Sequence, residues 1–232
     1  MQPRPAPQSA PRLVPATVLL VVALCATLLT GAATRPDPVQ AAPAQASHTR
    51  TLNAARLAFH DQMRKLWEDH VTWTRLAIVT FADGSAGFQA TAARLLQNQA
   101  DIGDAIKPYY GDAAGAKLTS LLNDHITIAV EILQAAKNGD TDAFTDAKAR
   151  WYANADDIAG FLAQANPDHW PLTTVGPMMR EHLDHTLSEA VNHLKGDWTA
   201  DIAEYDHIHA QILDMADMLT DGIVGQFPAK FS

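Results

Sequence analysis

The residues of this 232-residue chain most capable of chemistry are histidines that recur at a nearly constant interval. Three blocks share the pattern apolar, apolar, any residue, acidic, His, aliphatic: Leu66-Trp-Glu-Asp-His-Val71, Leu121-Leu-Asn-Asp-His-Ile126 and Met178-Met-Arg-Glu-His-Leu183. Their histidines lie 55 and then 57 residues apart. Imidazole binds metals, forms hydrogen bonds and titrates near neutral pH. The pattern therefore makes His70, His125 and His182 the first candidates for a functional site.

A second block follows each histidine at a similar distance. Leu95-Leu-Gln-Asn-Gln-Ala-Asp-Ile102 matches Trp151-Tyr-Ala-Asn-Ala-Asp-Asp-Ile158, with Asn and Asp at the same offsets. The third copy offers a looser match, Tyr205-Asp-His-Ile-His209. We interpret the two blocks as a helical hairpin that is repeated three times, with a period of about 55 residues.

The last third of the chain is richest in possible ligands, because His185 and Glu189 follow His182 on one side of a helix. Imidazole together with carboxylate suits zinc, iron, copper or manganese. The candidate metal ligands are His70, His125, His182, Asp101, Asp157, Glu189 and His209. The candidates for ligand binding or for a polar network in the core are Asn98, Asn154, His185, Asp201 and Tyr205.

Two interpretations of the inward histidines stay open. In the first, each histidine forms a hydrogen bond with Asn or Asp of its own hairpin, because an unmet buried polar group costs ~1–3 kcal/mol. In the second, the histidines form a centre for a transition metal or a small ligand, as inward side chains do in other helical bundles. Four methionines (Met178, Met179, Met215 and Met218) suit copper(I), but their positions on apolar stripes favour a role in packing.

The elements that must position these residues are helices. From Thr51 onward apolar residues recur at helical spacing, and no alternating β pattern occurs. Turn residues divide the pattern into six segments, and the second is predicted to run from about Ala90 to Ile106, stopping before Pro108. The sequence thus predicts an all-α bundle of six helices, built from three hairpins, over residues 50–228.

The N-terminal segment resembles an export signal. Arg4 and Arg12 precede an uncharged, largely apolar stretch up to Thr34, which is typical of a signal peptide or a single membrane anchor. A Pro/Ala-rich linker is predicted at 35–49. The only cysteine, Cys25, lies in the leader, so we expect an extracytoplasmic domain without disulfides.

The remaining features exclude classes of function. The net charge is −9 and no Lys/Arg run occurs, so no nucleic-acid partner is expected. Neither a Gly-x-Ser-x-Gly elbow nor a phosphate-binding glycine loop is present, so enzyme chemistry is not favoured. We expect a binding or sensing protein for a metal ion or small ligand. The alternative is a structural or partner-binding envelope protein in which the histidines only satisfy core hydrogen bonds.

Four stretches carry a family resemblance: Leu66–Arg75, Asn98–Gly111, Trp151–Ala159 and Met215–Ile223. They are similar to the corresponding stretches of an uncharacterised bacterial family of exported all-helical proteins. The resemblance implies the helical fold and a bacterial origin, and it assigns no chemistry.

Overall fold

The computed structural model describes residues 45–231, with side chains from residue 54 onward, and this part of the chain is helical without strands. The helices are α1 (Gln45–Ala82), α2 (Phe88–Tyr110), α3 (Asp112–Asn138), α4 (Thr141–Ala165), α5 (Leu172–Lys195) and α6 (Trp198–Gln226), and a 3₁₀ turn (Pro228–Phe231) follows. The prediction of an all-α bundle of six helices is confirmed. The predicted leader (1–34) and most of the predicted linker lie outside the described residues.

Capping residues set several helix ends where the turn signals predict them. The side chain of Asp140 accepts a hydrogen bond from the backbone N–H of Ala143 at 3.0 Å and caps α4. Asp197 caps α6 in the same way. Gly139 and Gly196 end α3 and α5 in the left-handed conformation, with φ of 68° and 76°, which glycine adopts without steric cost.

The prediction that the second helix stops before Pro108 is wrong. α2 continues through Pro108 to Tyr110 and ends at Gly111, whose φ is 85°. A proline removes one backbone N–H, so the carbonyl of Asp104 loses its helical partner, and only two further residues of the helix follow Pro108. Pro177 is likewise contained within the first two turns of α5.

The six helices form a closed ring. Each helix packs against the next in sequence, and α6 packs back against α1. The links are short, so consecutive helices run antiparallel. The odd-numbered helices α1, α3 and α5 also contact one another across the interior. This arrangement brings side chains from three distant segments to the middle of the ring.

Within the part of the chain that the structure describes, no helix combines the length and the apolar character needed to cross a bilayer.

Candidate functional site

The three repeated histidines all lie in the interior, one on each odd-numbered helix. His70 on α1, His125 on α3 and His182 on α5 are each at most 4% exposed. All three line one internal cavity of about 30 Å³. The ring centroids of His70 and His182 are 5.7 Å apart. The structure therefore brings together the residues that the sequence repeat singles out.

Apart from the three imidazoles, the side chains that line the cavity are apolar. Their only heteroatoms are the methionine sulfurs and the indole nitrogens of two tryptophans. The other lining residues are Met63, Trp67, Ile102, Ile106, Leu118, Leu122, Ile158, Leu162, Trp170, Met179, Ile212, Met215, Leu219 and Ile223. A water molecule needs at least ~10–15 Å³. The cavity thus has room for one ion or one to two waters, and not for an organic ligand.

The burial of the histidines keeps them neutral. Burial lowers the pKa of His125 to about 4 and that of His182 to about 3. The pKa of His70 is also well below its ordinary value, because of burial and because His182 and His125 are close. Neutral imidazole is the form that binds metal ions, so these rings are in the metal-binding protonation state at neutral pH.

Hydrogen bonds assign the tautomers of two rings. Asn154 Nδ2 donates to the carbonyl of Leu121 at 3.1 Å, which turns Oδ1 toward His125. Nδ1 of His125 lies 2.8 Å from that oxygen, so it is the protonated donor and Nε2 carries the lone pair. In contrast, Nε2 of Gln99 lies 3.2 Å from Nδ1 of His70 and donates to it, which leaves the proton of His70 on Nε2.

His182 differs from the other two rings because its Nδ1 is buried without a hydrogen-bond partner. Oε1 of Gln211 is also buried without one, although the side chain of Gln211 is close enough to raise the pKa of His182 against the effect of burial. Among the cavity histidines, His182 is therefore the one whose Nδ1 has no hydrogen-bond partner within the described residues.

One hydrogen-bond pattern occurs three times around the ring. Asn98, Asn154 and Gln211 each donate an amide N–H to a backbone carbonyl, at 3.0, 3.1 and 3.0 Å. The accepting carbonyls belong to Leu66, Leu121 and Met178, each four residues before a cavity histidine. The amides thus tie each even-numbered helix to its odd-numbered neighbour. Gln211 takes this place in the last hairpin, where the sequence comparison points to Tyr205–His209 instead.

The carboxylates and the fourth histidine among the candidate metal ligands do not line this cavity. Asp157 is exposed. Asp101 accepts from Gln97 at 3.0 Å on the surface. His209 is half-buried and lies 3.1 Å from Glu68. Within the described residues, no group of three or more His, Cys, Asp or Glu side chains is arranged to hold a metal ion by itself.

The other polar candidates of α5 and α6 are also placed apart from the cavity. His185 is paired with Glu204, whose Oε2 lies 2.7 Å from its Nδ1. Tyr205 and His209 face α1, and the hydroxyl of Tyr205 is 3.5 Å from that of Thr72. Although they are neighbours along α5, the side chains of His182, His185 and Glu189 lie in three different environments.

Glu189 and Asp201 belong to a second buried polar cluster, which sequence reasoning does not reveal. Nη1 of Arg75 donates to Oε1 of Glu189 at 2.7 Å and also to Asp201, and Nη2 donates to Oδ2 of Asp201 at 2.9 Å. Nδ1 of His193 lies 2.8 Å from the same Oδ2. Each carboxylate is 1% exposed. We name Arg75, Glu189, His193 and Asp201 the arginine cluster.

The two carboxyl groups of the arginine cluster have opposite pKa shifts. Burial raises the pKa of Glu189 to about 7, against the opposing effect of Arg75. Burial also acts to raise the pKa of Asp201, but the hydrogen bonds from Arg75 and His193 outweigh it and lower the pKa below its ordinary value. Hydrogen bonding to Asp201 raises the pKa of Arg75 itself. Arg75 and Asp201 are therefore a charged pair, with Glu189 as a titrating neighbour.

Comparisons with protein-family models, with curated proteins and with solved structures give no match to this chain.

Proposed function

We propose that this chain is an extracytoplasmic, non-catalytic binding protein that holds one metal ion in the cavity lined by His70, His125 and His182. One observation carries the proposal: three neutral imidazoles from three different helices line one cavity in an otherwise apolar interior. The location rests on the export-like segment before Thr34.

The size and chemistry of the cavity support an ion over an organic ligand. About 30 Å³ accommodates an ion and little else. The rings are close together as well, since the centroids of His70 and His182 are 5.7 Å apart. The bond from His125 to Asn154 is of the kind that orients metal-binding histidines in other proteins.

A specific observation favours the second candidate function, a structural or partner-binding envelope protein. Two of the three rings already have hydrogen-bond partners, Asn154 for His125 and Gln99 for His70. On this view the cavity holds a bridging water, which needs two to four polar partners, and the histidines contribute only to folding.

Metal analysis of the full-length protein distinguishes the two. The chain is purified without a chelating tag, dialysed, and its metal content is measured by mass spectrometry before and after exposure to Zn²⁺, Ni²⁺ and reduced copper. We expect one ion per chain, lost in the double variant His125→Ala, His182→Ala. The control is His209→Ala, a half-buried histidine outside the cavity. A wild-type protein that melts cooperatively and takes up none of these metals would refute metal binding and leave the structural role.

A further inference from the structure

The cavity contains a second kind of metal ligand, the thioether of methionine. Met63, Met179 and Met215 line it together with the three histidines, and each is at most 5% exposed. The sequence stripes favour a packing role for Met179 and Met215, but the structure places both side chains in the lining of the cavity that the imidazoles also line.

We propose that the ion is Cu(I), bound by cavity histidines together with one or more of these thioethers. The inference rests on the proposed function and names the metal and the ligand type. Thioethers are soft ligands that select Cu(I), and imidazole also suits copper.

The ligand set needs the methionines because the histidines alone are insufficient. No group of three His, Cys, Asp or Glu side chains in the described residues is arranged to hold a metal. The proton of His70 is on Nε2, since Gln99 donates to its Nδ1. The rings ready to give a lone pair are His125, through Nε2, and His182, whose Nδ1 has no partner. With one or two methionine sulfurs in addition to these two rings, the ion would have three or four ligands.

Charge favours a monovalent ion over a divalent one. All candidate ligands around the cavity are neutral, and its lining contains no carboxylate. The buried carboxylates Glu189 and Asp201 are held by Arg75 in the arginine cluster. The cost of placing an ion in a medium of low dielectric constant rises with the square of its charge. A divalent ion here would therefore pay a desolvation cost about four times that of Cu(I), without a compensating anion.

The geometry of Cu(II) gives a second reason. Cu(II) prefers tetragonal sites of nitrogen and oxygen ligands, and the cavity offers sulfur and imidazole from α1, α3, α5 and α6. The site fits the reduced ion, and no change of oxidation state is part of the proposal.

The test is a competition for Cu(I) between the full-length protein and a chromogenic Cu(I) chelator, under anaerobic reducing conditions. The variant replaces Met63, Met179 and Met215 by leucine, a swap that conserves volume and usually costs less than ~1.5 kcal/mol. The control replaces Met178 and Met218 by leucine, since these half-buried methionines do not line the cavity. We expect stoichiometric Cu(I) binding, weakened roughly tenfold or more in the triple variant and unchanged in the control.

X-ray absorption at the copper edge gives a readout that does not depend on the stability of a variant. The wild-type protein loaded with Cu(I) should show a sulfur scatterer at about 2.3 Å beside the nitrogen shell. A nitrogen-only shell would overturn the thioether ligands, and tight binding of Zn²⁺ with no effect of the triple substitution would overturn the assignment to Cu(I), while the proposed metal site stands in both cases. Absence of any bound metal would overturn both.

Discussion

Two conservative substitutions in the arginine cluster should have very different costs, although both remove a carboxylate. Asp201 receives both Nη atoms of Arg75 and lies 2.8 Å from Nδ1 of His193. Asp201→Asn leaves the half-buried guanidinium with Glu189 as its remaining carboxylate partner, and it replaces one of the two oxygens that accept from Arg75 and His193 by an amide NH₂. Breaking a buried ion pair from one side costs about 3–5 kcal/mol. For a domain of this size that corresponds to a fall in Tm of roughly 6–20 °C.

Glu189→Gln should cost much less at neutral pH. The pKa of Glu189 is about 7, so the carboxyl group is already protonated in about half of the molecules. Glutamine has the shape of the protonated form and keeps an oxygen that can accept from Arg75. We expect a loss within about 1 kcal/mol.

The pH dependence has a definite sign. The pKa of Glu189 in the folded protein is raised from 4.5 to about 7, so the folded state binds the proton more tightly than the unfolded state. The stabilising contribution of protonation is present at acidic pH and is lost as the pH rises through about 7. Glutamine does not titrate, so the stability of Glu189→Gln relative to that of wild type should increase as the pH rises from 4.5 to about 7.

Urea unfolding, followed by far-UV circular dichroism at several pH values, measures these differences. Asp201→Asn and Glu189→Gln are compared with wild type, and an unchanged m-value verifies that the free energies are comparable. Equal losses for the two variants at neutral pH would refute the division of charge within the arginine cluster. A pH-independent difference between wild type and Glu189→Gln would refute the raised pKa.

Two further predictions concern packing and the central histidines. A Cβ at Gly222 would lie 2.6 Å from Cε2 of the buried Trp170 ring, so Gly222→Ala should cost ~1–3 kcal/mol in thermal or urea unfolding. Gly160→Ala, which meets no atom within 4 Å, should gain ~0.5–1 kcal/mol, and equal effects of the two would refute the contact. The folded-state pKa of His125 is depressed from 6.5 to about 4, so its contribution to stability is lost as the pH falls from 6.5 toward 4. His125→Leu should therefore unfold with a shallower loss of stability over that acid interval, and an equally steep loss would contradict the prediction.

The sequence was sufficient for the helices and for the direction of the repeated histidines, because both depend on local periodicity. Apolar stripes define the inward face of each helix, and His70, His125 and His182 interrupt those stripes. Capping residues such as Asp140 and Asp197 locate the turns. Such signals lie within a few residues of each other, so a single sequence can reveal them.

The arginine cluster could not be predicted in this way, because Glu189 and Asp201 lie 114 and 126 residues after Arg75 in the sequence. One local signal existed: Arg75 stands between Val71 and Ile78, both buried, on the inward stripe of α1. A long cationic side chain at such a position requires a buried or interfacial anion. The sequence does not say which carboxylate meets it.

The histidine partners illustrate a subtler limit. The hydrogen-bonding interpretation gives each histidine a partner among the Asn and Asp residues of its own hairpin, and this holds for His125 with Asn154. In the first hairpin, Asn98 donates to a backbone carbonyl and the adjacent Gln99 meets His70 instead. A helix advances about 100° per residue, so neighbours in sequence differ in direction, and only the packed helices decide which amide reaches the ring.

The hydrogen bonds of the side-chain amides help to explain why histidines occupy the middle of the helical bundle. Asn98, Asn154 and Gln211 already link the helices through backbone carbonyls, so the register of the hairpins has a polar determinant that does not need imidazole. A leucine at each histidine position would fill apolar space without leaving a buried ring nitrogen, such as Nδ1 of His182, unpaired. Histidine is therefore the costlier choice for packing alone. In the proposed metal site this cost is offset, because the ring nitrogens and the methionine sulfurs that line the cavity are ligands for a soft metal ion.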